Sequence, residues 1–190
     1  MEISFKKLTP AISDDFLHFF DHDAFSDHEE WDGCYCLESH LSREENDKLW
    51  GKKNKRRKKA KNLIQEGIMT GYLICDGSDV VGWCNAGDKA DYYPICENED
   101  FSTEDVGKGK IKIIYCIDIA PDYRGRGLAN RIVEQVLADA KNEGYSYIEA
   151  YPFTDKKFAY QYKGPFRLYE KHGFEIYRQL ERFFIMRKAL

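Results

Sequence analysis

The chain has 190 residues, of which 43% are hydrophobic and 33% charged, and its formal net charge is −4 at pH 7. That length and apolar fraction favour one domain with a single sizeable core. No apolar run has the length of a membrane span, and the N-terminal residues lack the apolar stretch of a signal peptide, so we expect a cytoplasmic protein with six reduced cysteines.

Two elements are predicted near the N-terminus. Residues 2–8 alternate between apolar and polar side chains, which indicates a strand. Thr9 followed by Pro10 is typical of a helix start, with Thr9 as the N-cap. At helical spacing this helix would bury a set of apolar side chains, namely Ile12, Phe16 and Phe19 or Phe20.

The following segment is rich in histidine, cysteine and acidic residues, which makes a metal cluster one alternative. Its candidate ligands are His18, His22, His28, Cys34, Cys36 and His40. The C-x-C spacing differs from that of common zinc sites, and no second pair follows. We therefore expect no metal, and we predict a strand over residues 33–37 with both thiols on one buried face.

A long helix is predicted next. Ser42 and Glu45 match a capping box, and Gly67 is placed to end a helix that runs to about Gln65. A basic run within it, residues 52–61, could bind nucleic acid or another anionic surface. No aromatic side chains are interleaved for base stacking, so a solvated helix face is the simpler interpretation and we expect no nucleic-acid partner. The basic residues are Lys52, Lys53, Lys55, Arg56, Arg57, Lys58, Lys59 and Lys61.

Strands return after this helix. Tyr72–Cys75 and Val80–Cys84 are joined through Asp76 and Gly77, which predicts a β-hairpin. The polar and acidic residues 88–109 are predicted to form a surface excursion.

Residues 111–152 carry the strongest signal. A β-branched run is followed by the loop Arg124–Ala129, which holds two glycines, and then by an amphipathic helix that ends at Gly144 and a strand at Tyr147–Tyr151. This pattern predicts a βαβ unit whose loop opens a helix. Backbone N–H groups at a helix N-terminus favour negative charge, so we expect a phosphate-bearing ligand at the loop.

Three ligand classes use such loops. A dinucleotide fold requires G-x-G-x-x-G close behind its first strand, and here Asn130 stands at the third glycine. Glu149 falls where a ribose-binding acid would lie, so a nicotinamide-dependent enzyme stays an alternative. A nucleotide P-loop would need G-x-x-x-x-G-K-[ST], which the chain lacks. The third class is the diphosphate of coenzyme A.

The segment Ile117–Ala129 resembles the acetyl-coenzyme A loop of the GNAT-superfamily N-acetyltransferases. The family signature Gln/Arg-x-x-Gly-x-Gly/Ala is matched by Arg124, Gly127 and Ala129. A second similar element follows at Leu168–Phe174, a short helix ending in Gly-Phe, and beyond it a terminal hairpin is predicted over residues 175–188.

The resemblance implies an α/β (α+β) fold: a single mixed, mostly antiparallel twisted sheet flanked by helices, with a central βαβ unit. We expect one N-acetyltransferase domain over residues 1–190. Its cofactor-binding core would span about 70–188, and its N-terminal part would contribute to the acceptor site.

The implied reaction is transfer of an acetyl group from acetyl-coenzyme A, a co-substrate, to a primary amine by direct attack in a ternary complex. By resemblance, Tyr169 is the general acid that protonates the leaving thiolate, and Asp118 or Glu149 is the base, a choice that the sequence leaves open. The main chain of Ile117 and Ile119 would contact the pantetheine arm. The expected diphosphate-binding residues are Arg124, Gly125, Arg126, Gly127, Leu128 and Ala129.

The acceptor region of the superfamily offers aromatic and polar side chains here, namely Trp31, Tyr35, Glu38, Trp83, Asn85 and Tyr151. Aromatic rings and acids favour a cationic amine, and the acidic stretches Asp21–Glu30 and Glu97–Asp105 would attract one. A small-molecule amine and a protein amine both stay open as acceptors, as does a homodimer, and no membrane partner is expected.

Overall fold

The computed structural model describes residues 2–92, 110–155 and 162–190. The helices and strands in chain order are β1 (Ile3–Lys7), α1 (Ser13–His22), α2 (Arg43–Leu49), α3 (Lys53–Gln65), β2 (Gly71–Asp76), β3 (Asp79–Asp88), β4 (Ile111–Ile119), α4 (Leu128–Asn142), β5 (Tyr147–Ala150), α5 (Phe166–Lys171), β6 (Glu175–Gln179) and β7 (Phe184–Ala189). Short 3₁₀ segments lie at Pro10–Ile12, Glu29–Trp31, Leu37–Ser39, Lys89–Asp91 and Pro121–Tyr123. Most of the predicted excursion, including Glu97–Asp105, lies outside the described residues.

The strands form one sheet in the order β1-β2-β3-β4-β5-β7-β6. Only β4 and β5 pair in parallel, and the other described pairs are antiparallel. The crossover from β4 to β5 runs through α4, as a parallel pair requires. The mixed, mostly antiparallel sheet, the hairpins and the central βαβ unit predicted from the sequence are thereby confirmed.

Helices cover both faces of the sheet. α4 packs Ile132, Val133 and Val136 on one face, against alternate residues of the central strands. α1 and α3 pack Phe16, Phe20 and Leu63 on the other face, so the central strands are buried on both sides. This double burial explains why β2 and β3 lack the polar alternation of a half-exposed strand. None of the described helices is both long and apolar enough to cross a membrane.

The predicted long helix is two helices. The capping box at its start is confirmed, because the amide of Glu45 donates to the Ser42 hydroxyl at 3.1 Å. The helix nevertheless ends at Leu49, since Gly51 has a φ of +71°, a left-handed backbone that a right-handed helix cannot continue. α3 then begins at Lys53.

The predicted strand over residues 33–37 is wrong. Tyr35 and Cys36 both have left-handed backbones, with φ values of 45° and 53°, and the 3₁₀ segment follows at once. The two thiols therefore share no strand face: Cys36 is buried, whereas Cys34 is half-buried beside a cleft.

The two parallel strands diverge, and this opens the interior of the fold. Pairing between β4 and β5 stops at Ile114 and Ala150, whereas β4 continues to Ile119. The free part of β4 faces the loop Arg124–Ala129 on one side and the segment 162–165 on the other. A cleft is thus fixed at the point where the sheet splits.

Candidate functional site

The glycine loop presents unpartnered backbone amides at the N-terminus of α4. Gly127 is the N-cap residue, and Gly125 and Gly127 have φ values of +74° and +79°. Among the described residues, no hydrogen bond is found for the amides of Gly125, Arg126, Gly127, Leu128 or Ala129. The space above both glycines is open. Together with the dipole of a 15-residue helix, these amides suit an anion such as a diphosphate.

The two arginines of the loop are engaged with protein groups. Arg124 pairs through both terminal nitrogens with the carboxylate of Asp27, and its Nε donates to the Ile119 carbonyl at 2.9 Å. The guanidinium of Arg126 lies 5.1 Å from the ring centre of Tyr123. The amides, rather than these two cations, are therefore the groups left available by the loop.

A cleft of about 280 Å³, here called the β4 cleft, runs along the free part of β4. Successive residues of a strand direct their backbone N–H and C=O groups alternately to its two neighbours. Because the amide of Ala120 donates to the Val81 carbonyl on the β3 side, the backbone groups of Ile117 point away from β3. The amide of Ile117 donates to the Tyr162 carbonyl at 2.7 Å. A pantetheine arm could pair with this amide only after the Tyr162 carbonyl releases it. The residues lining the cleft include Ile117, Ile119, Arg124, Ala129, Gly164 and Leu168.

A second cleft of about 470 Å³, here called the acidic cleft, adjoins the first. Five carboxyl groups line it against two basic side chains, Lys53 and Arg56. Lys53 pairs with Asp32 at 2.6 Å, and Arg56 is held by backbone carbonyls and Asn46. The carboxyl groups are those of Glu29, Glu30, Asp32, Glu38 and Asp118, and four residues line both clefts: Phe25, Trp31, Asp118 and Tyr162.

Asp118 lies at the junction of the two clefts with 8% of its surface exposed. Burial raises the pKa of its carboxyl to about 6, against opposing effects of the Cys116 thiol and the Arg124 charge. The Cys116 thiol donates to Asp118 Oδ2 at 3.0 Å. A carboxyl group with a pKa near neutrality, placed between two clefts, suits a general base.

Glu149, the other candidate base, lies elsewhere. Its fully buried carboxylate accepts hydrogen bonds from Arg187 at 2.7 and 2.9 Å, from Lys89 at 2.8 Å and from the Tyr151 hydroxyl at 2.8 Å. It lines neither cleft. The structure therefore separates the two candidates, and only Asp118 faces space that a substrate can enter.

Tyr169 lies directly behind the wall of the β4 cleft. Its side chain is fully buried, and its hydroxyl donates to the Lys163 carbonyl at 2.6 Å. Burial raises its pKa well above the ordinary value, so the phenol keeps its proton. A Cβ on Gly164 would come within 2.6 Å of this hydroxyl, so the segment approaches the ring closely only because residue 164 is glycine.

Two of the six predicted acceptor residues reach a cleft: Trp31 lines both clefts and Glu38 lines the acidic one. The other four, Tyr35, Trp83, Asn85 and Tyr151, are buried and line neither cleft. Their polar groups are mostly used internally: the Tyr35 hydroxyl bonds Asp21, Asn85 bonds Ser39 and Tyr92, and Tyr151 bonds Glu149, while Trp83 packs edge-on against Phe16 at 4.9 Å.

Sequence reasoning missed part of the site. Phe25, Asp27 and His28, which precede the 3₁₀ segment at 29–31, lie beside the β4 cleft or against its arginine. Tyr162 was missed as well, although it lines both clefts. The sequence signal for these residues is the dense mixture of aromatic, histidine and acidic residues over 21–31, which the sequence analysis considers only as a possible metal cluster. His18 and His22 lie one turn apart on α1, with ring centres 4.6 Å apart and ring planes inclined by 50°.

The basic run is largely neutralised within the fold. Arg56 is buried, and its neighbours on α3 pair with acids of the N-terminal half, so the helix face is not a free cationic stripe. The ion pairs are Lys53–Asp32 at 2.6 Å, Arg57–Asp21 at 2.8 Å, Lys61–Asp14 at 2.7 Å and Lys59–Glu45 at 3.9 Å.

The sequence matches the profile described as the Acetyltransferase (GNAT) family over residues 6–174. No curated protein sequence is similar to it at a significant level.

Solved structures of several N-acetyltransferases have the same fold. PaiA N-acetyltransferase from Thermoplasma acidophilum, in complex with coenzyme A, is 13% identical with a TM-score of 0.58, and the alignment covers 100% of both chains. The mosquito arylalkylamine N-acetyltransferase-like 5b is 15% identical with a TM-score of 0.60, again over 100% of both chains. The polyamine N-acetyltransferase of Drosophila melanogaster is 11% identical with a TM-score of 0.58, over 100% of this chain and 99% of that one. At these identities the likeness is one of fold.

Proposed function

Because this chain belongs to the acetyltransferase (GNAT) family and is an acetyl-coenzyme A-dependent N-acetyltransferase, we propose that it acetylates the primary amine of a small cationic acceptor. The observation that carries the proposal is the position of Asp118, which lies where the β4 cleft meets the acidic cleft. We assign the β4 cleft to the acetyl donor and the acidic cleft to the acceptor.

The donor side is supported by the fit of the loop. Five backbone amides at the start of α4 are free to bind a diphosphate, and charge-assisted hydrogen bonds of this kind contribute roughly 1.5–3 kcal/mol each. Acetyl-coenzyme A supplies the acetyl group as an activated thioester: the amine attacks its carbonyl carbon, the C–S bond breaks, and coenzyme A leaves as the thiolate. We propose that Ile117 and Ile119 bind its arm through their main chain, with the Tyr162 carbonyl giving up the Ile117 amide.

The acceptor side is supported by charge. Five carboxyl groups and the ring of Trp31 line the acidic cleft against two basic side chains, and one of the five, Asp32, is paired with Lys53. The acids still outnumber the bases. Such a surface attracts an ammonium group and repels a carboxylate. Among the proteins of similar fold, the Drosophila enzyme acts on polyamines and forms N-acetylagmatine, which is in keeping with a cationic acceptor.

The proton steps are assigned to two side chains. Asp118 takes a proton from the acceptor ammonium, because its pKa of about 6 leaves it charged yet basic at neutral pH. Tyr169, behind the wall of the β4 cleft, keeps its proton and serves as the acid for the departing thiolate once its hydroxyl turns from the Lys163 carbonyl. Residues 1–190 then act as one domain, with the segment after α1, together with α2 and α3, forming the acceptor side.

The proposal is tested with labelled acetyl-coenzyme A and three amines of equal chain length: a diamine, a monoamine and an amino acid. We expect kcat/KM to fall at least about tenfold from the diamine to the amino acid, since 1.4 kcal/mol of charge interaction corresponds to that factor. Glu38→Gln should reduce the preference for the diamine, whereas Glu44→Gln, an exposed acid paired with Lys48, should not. A preference for the amino acid would contradict the cationic acceptor.

Asp118→Asn tests the base. We expect kcat to fall at least about 100-fold, the usual contribution of a general base, with an unchanged Kd for coenzyme A. A fully active variant would remove Asp118 from the mechanism and leave the family assignment intact.

A further inference from the structure

We propose that Cys116 is a positioning residue for Asp118, whose thiol fixes the carboxyl group at the junction of the clefts and favours its charged form. This inference rests on the proposed function, since it gives Cys116 a role through Asp118. The two residues are two positions apart on β4, so their side chains leave the same face of the strand. Cys116 Sγ lies 3.0 Å from Asp118 Oδ2, and both residues are buried.

The thiol is a dependable donor because it does not ionise in this setting. Cys36 Sγ, brought in by the left-handed turn at residues 35 and 36, lies within 4.8 Å of both Cys116 Sγ and the Asp118 carboxylate. The contact with Cys36, together with burial and the nearby Asp118 charge, raises the pKa of the Cys116 thiol well above its ordinary value. The S–H proton therefore stays in place and bonds the carboxylate throughout the neutral range.

Few other groups stabilise the Asp118 charge. Arg124 is the only described cation that lowers the pKa of Asp118, and it is already paired with Asp27. Burial acts in the opposite direction and keeps the pKa at about 6. Loss of the thiol would leave burial less opposed, and the carboxyl pKa would rise. The titratable and charged groups nearest Asp118 are Cys34, Cys36, Cys84, Cys116 and Arg124. Those that line the two clefts with it are His28, Glu29, Glu30, Asp32, Glu38, Lys53, Arg56 and Tyr162.

The test compares Cys116→Ala with Cys116→Ser, whose hydroxyl restores a donor. The control is Cys75→Ala, which removes an equally buried thiol on β2 that makes no contact with Asp118. The first readout is the titration midpoint of Asp118 in the protein without coenzyme A, which is measured by NMR of ¹³C-labelled aspartate. The second is the acidic limb of the kcat/KM profile, which reports ionisations of the free enzyme.

We expect Cys116→Ala to move both midpoints upward by about one pH unit, a tenfold change in proton affinity. Cys116→Ser and Cys75→Ala should stay close to the wild type. An unchanged midpoint in Cys116→Ala, or an equal shift in Cys75→Ala, would overturn the inference. If Cys116→Ala fails to fold, the infrared S–H stretch of the wild type decides: it should change as Asp118 titrates, and a constant band overturns the inference.

These results separate the inference from the function on which it rests. An inactive Asp118→Asn with an unshifted Cys116→Ala refutes the role of the thiol alone. A shifted NMR midpoint with a fully active Asp118→Asn overturns the proposed base, and with it the positioning role of Cys116, although the coupling between the two side chains would be real.

Discussion

Asp118 is a buried carboxyl group whose position costs stability and, in the proposed mechanism, makes it a base. A carboxylate in a protein interior costs free energy unless it is paired, and here a thiol and a distant, already paired guanidinium are the groups that oppose the cost. The same burial places its pKa near neutrality, where a base is most useful. Glu149, in contrast, is buried with two cations, so its charge is compensated and serves the fold.

The pH dependence of stability should report this difference. The pKa of Asp118 is about 6 in the folded protein and 3.8 ordinarily, so the folded state holds the proton more tightly. Its contribution to stability is present below about pH 4 and is lost as the pH rises through 6. Asp118→Asn should therefore raise the free energy of unfolding by up to about 3 kcal/mol at pH 8 and change it little at pH 4. Urea unfolding at the two pH values checks this, and equal differences at both would contradict it.

Tyr169 can be tested against a matched tyrosine. Tyr169→Phe leaves the Lys163 carbonyl without its donor and should cost about 1–3 kcal/mol of stability. Tyr72→Phe removes a similar buried hydroxyl, which donates to Asp139 of α4 at 2.9 Å and lines neither cleft. If Tyr169 is the acid, only its variant should lower kcat, at least about 100-fold, with an unchanged Kd for coenzyme A. Equal kcat values for both variants would restrict Tyr169 to a structural role.

At the scale of elements, α4 has a glycine with a left-handed backbone at each end. Gly127 at the N-terminus and Gly144 at the C-terminus have φ values of +79° and +77°, and a Cβ at either would meet nothing within 4 Å. The strain from alanine is therefore alike at both ends, about 1–2 kcal/mol for a left-handed residue. Only the N-terminal methyl group would enter the space above the free amides.

Gly127→Ala and Gly144→Ala should accordingly lower the free energy of unfolding by similar amounts. Gly127→Ala alone should raise the Kd for coenzyme A by at least about tenfold, corresponding to 1.4 kcal/mol of lost interaction with the diphosphate. Calorimetric titration with coenzyme A measures this. Equal affinities in the two variants would show that the diphosphate binds elsewhere.

On the scale of the whole molecule, Glu149 joins distant parts of the chain. Its carboxylate on β5 binds Arg187 of β7 and Lys89 at the end of β3, so it ties the C-terminal hairpin to the centre of the sheet. Removal of one member of such a network is costly, because the remaining charges stay buried without their counter-charge.

Glu149→Gln should therefore destabilise the protein by about 3–5 kcal/mol. Glu143→Gln is the comparison variant, since Glu143 also pairs with two cations, Lys7 and Lys112, but its own side chain is 33% exposed. We expect it to cost about 1 kcal/mol or less. Chemical unfolding compares the two, and similar losses would show that the buried network is not a special contributor to stability.

Many helices, strands and turns of this protein could be predicted from the sequence, because they depend on the chemistry of neighbouring residues. The β-branched run, the glycines of Arg124–Ala129 and the end of α4 at Gly144 each rest on backbone preferences of a few neighbouring residues, and the structure has them as expected. The end of α2 before Gly51 is the exception. A glycine inside a helical pattern either continues or ends the helix according to its backbone angle, which the sequence does not show.

Only the tertiary structure shows how differently Asp118 and Glu149 are placed. Both are acids on neighbouring central strands, and their local sequences do not differ in kind. What separates them is contact across the chain: Lys89 and Arg187 neutralise one, while Cys36 and the cleft surround the other. The same reason placed Tyr35, Trp83, Asn85 and Tyr151 in the interior, because burial is set by packing partners that lie far away in sequence.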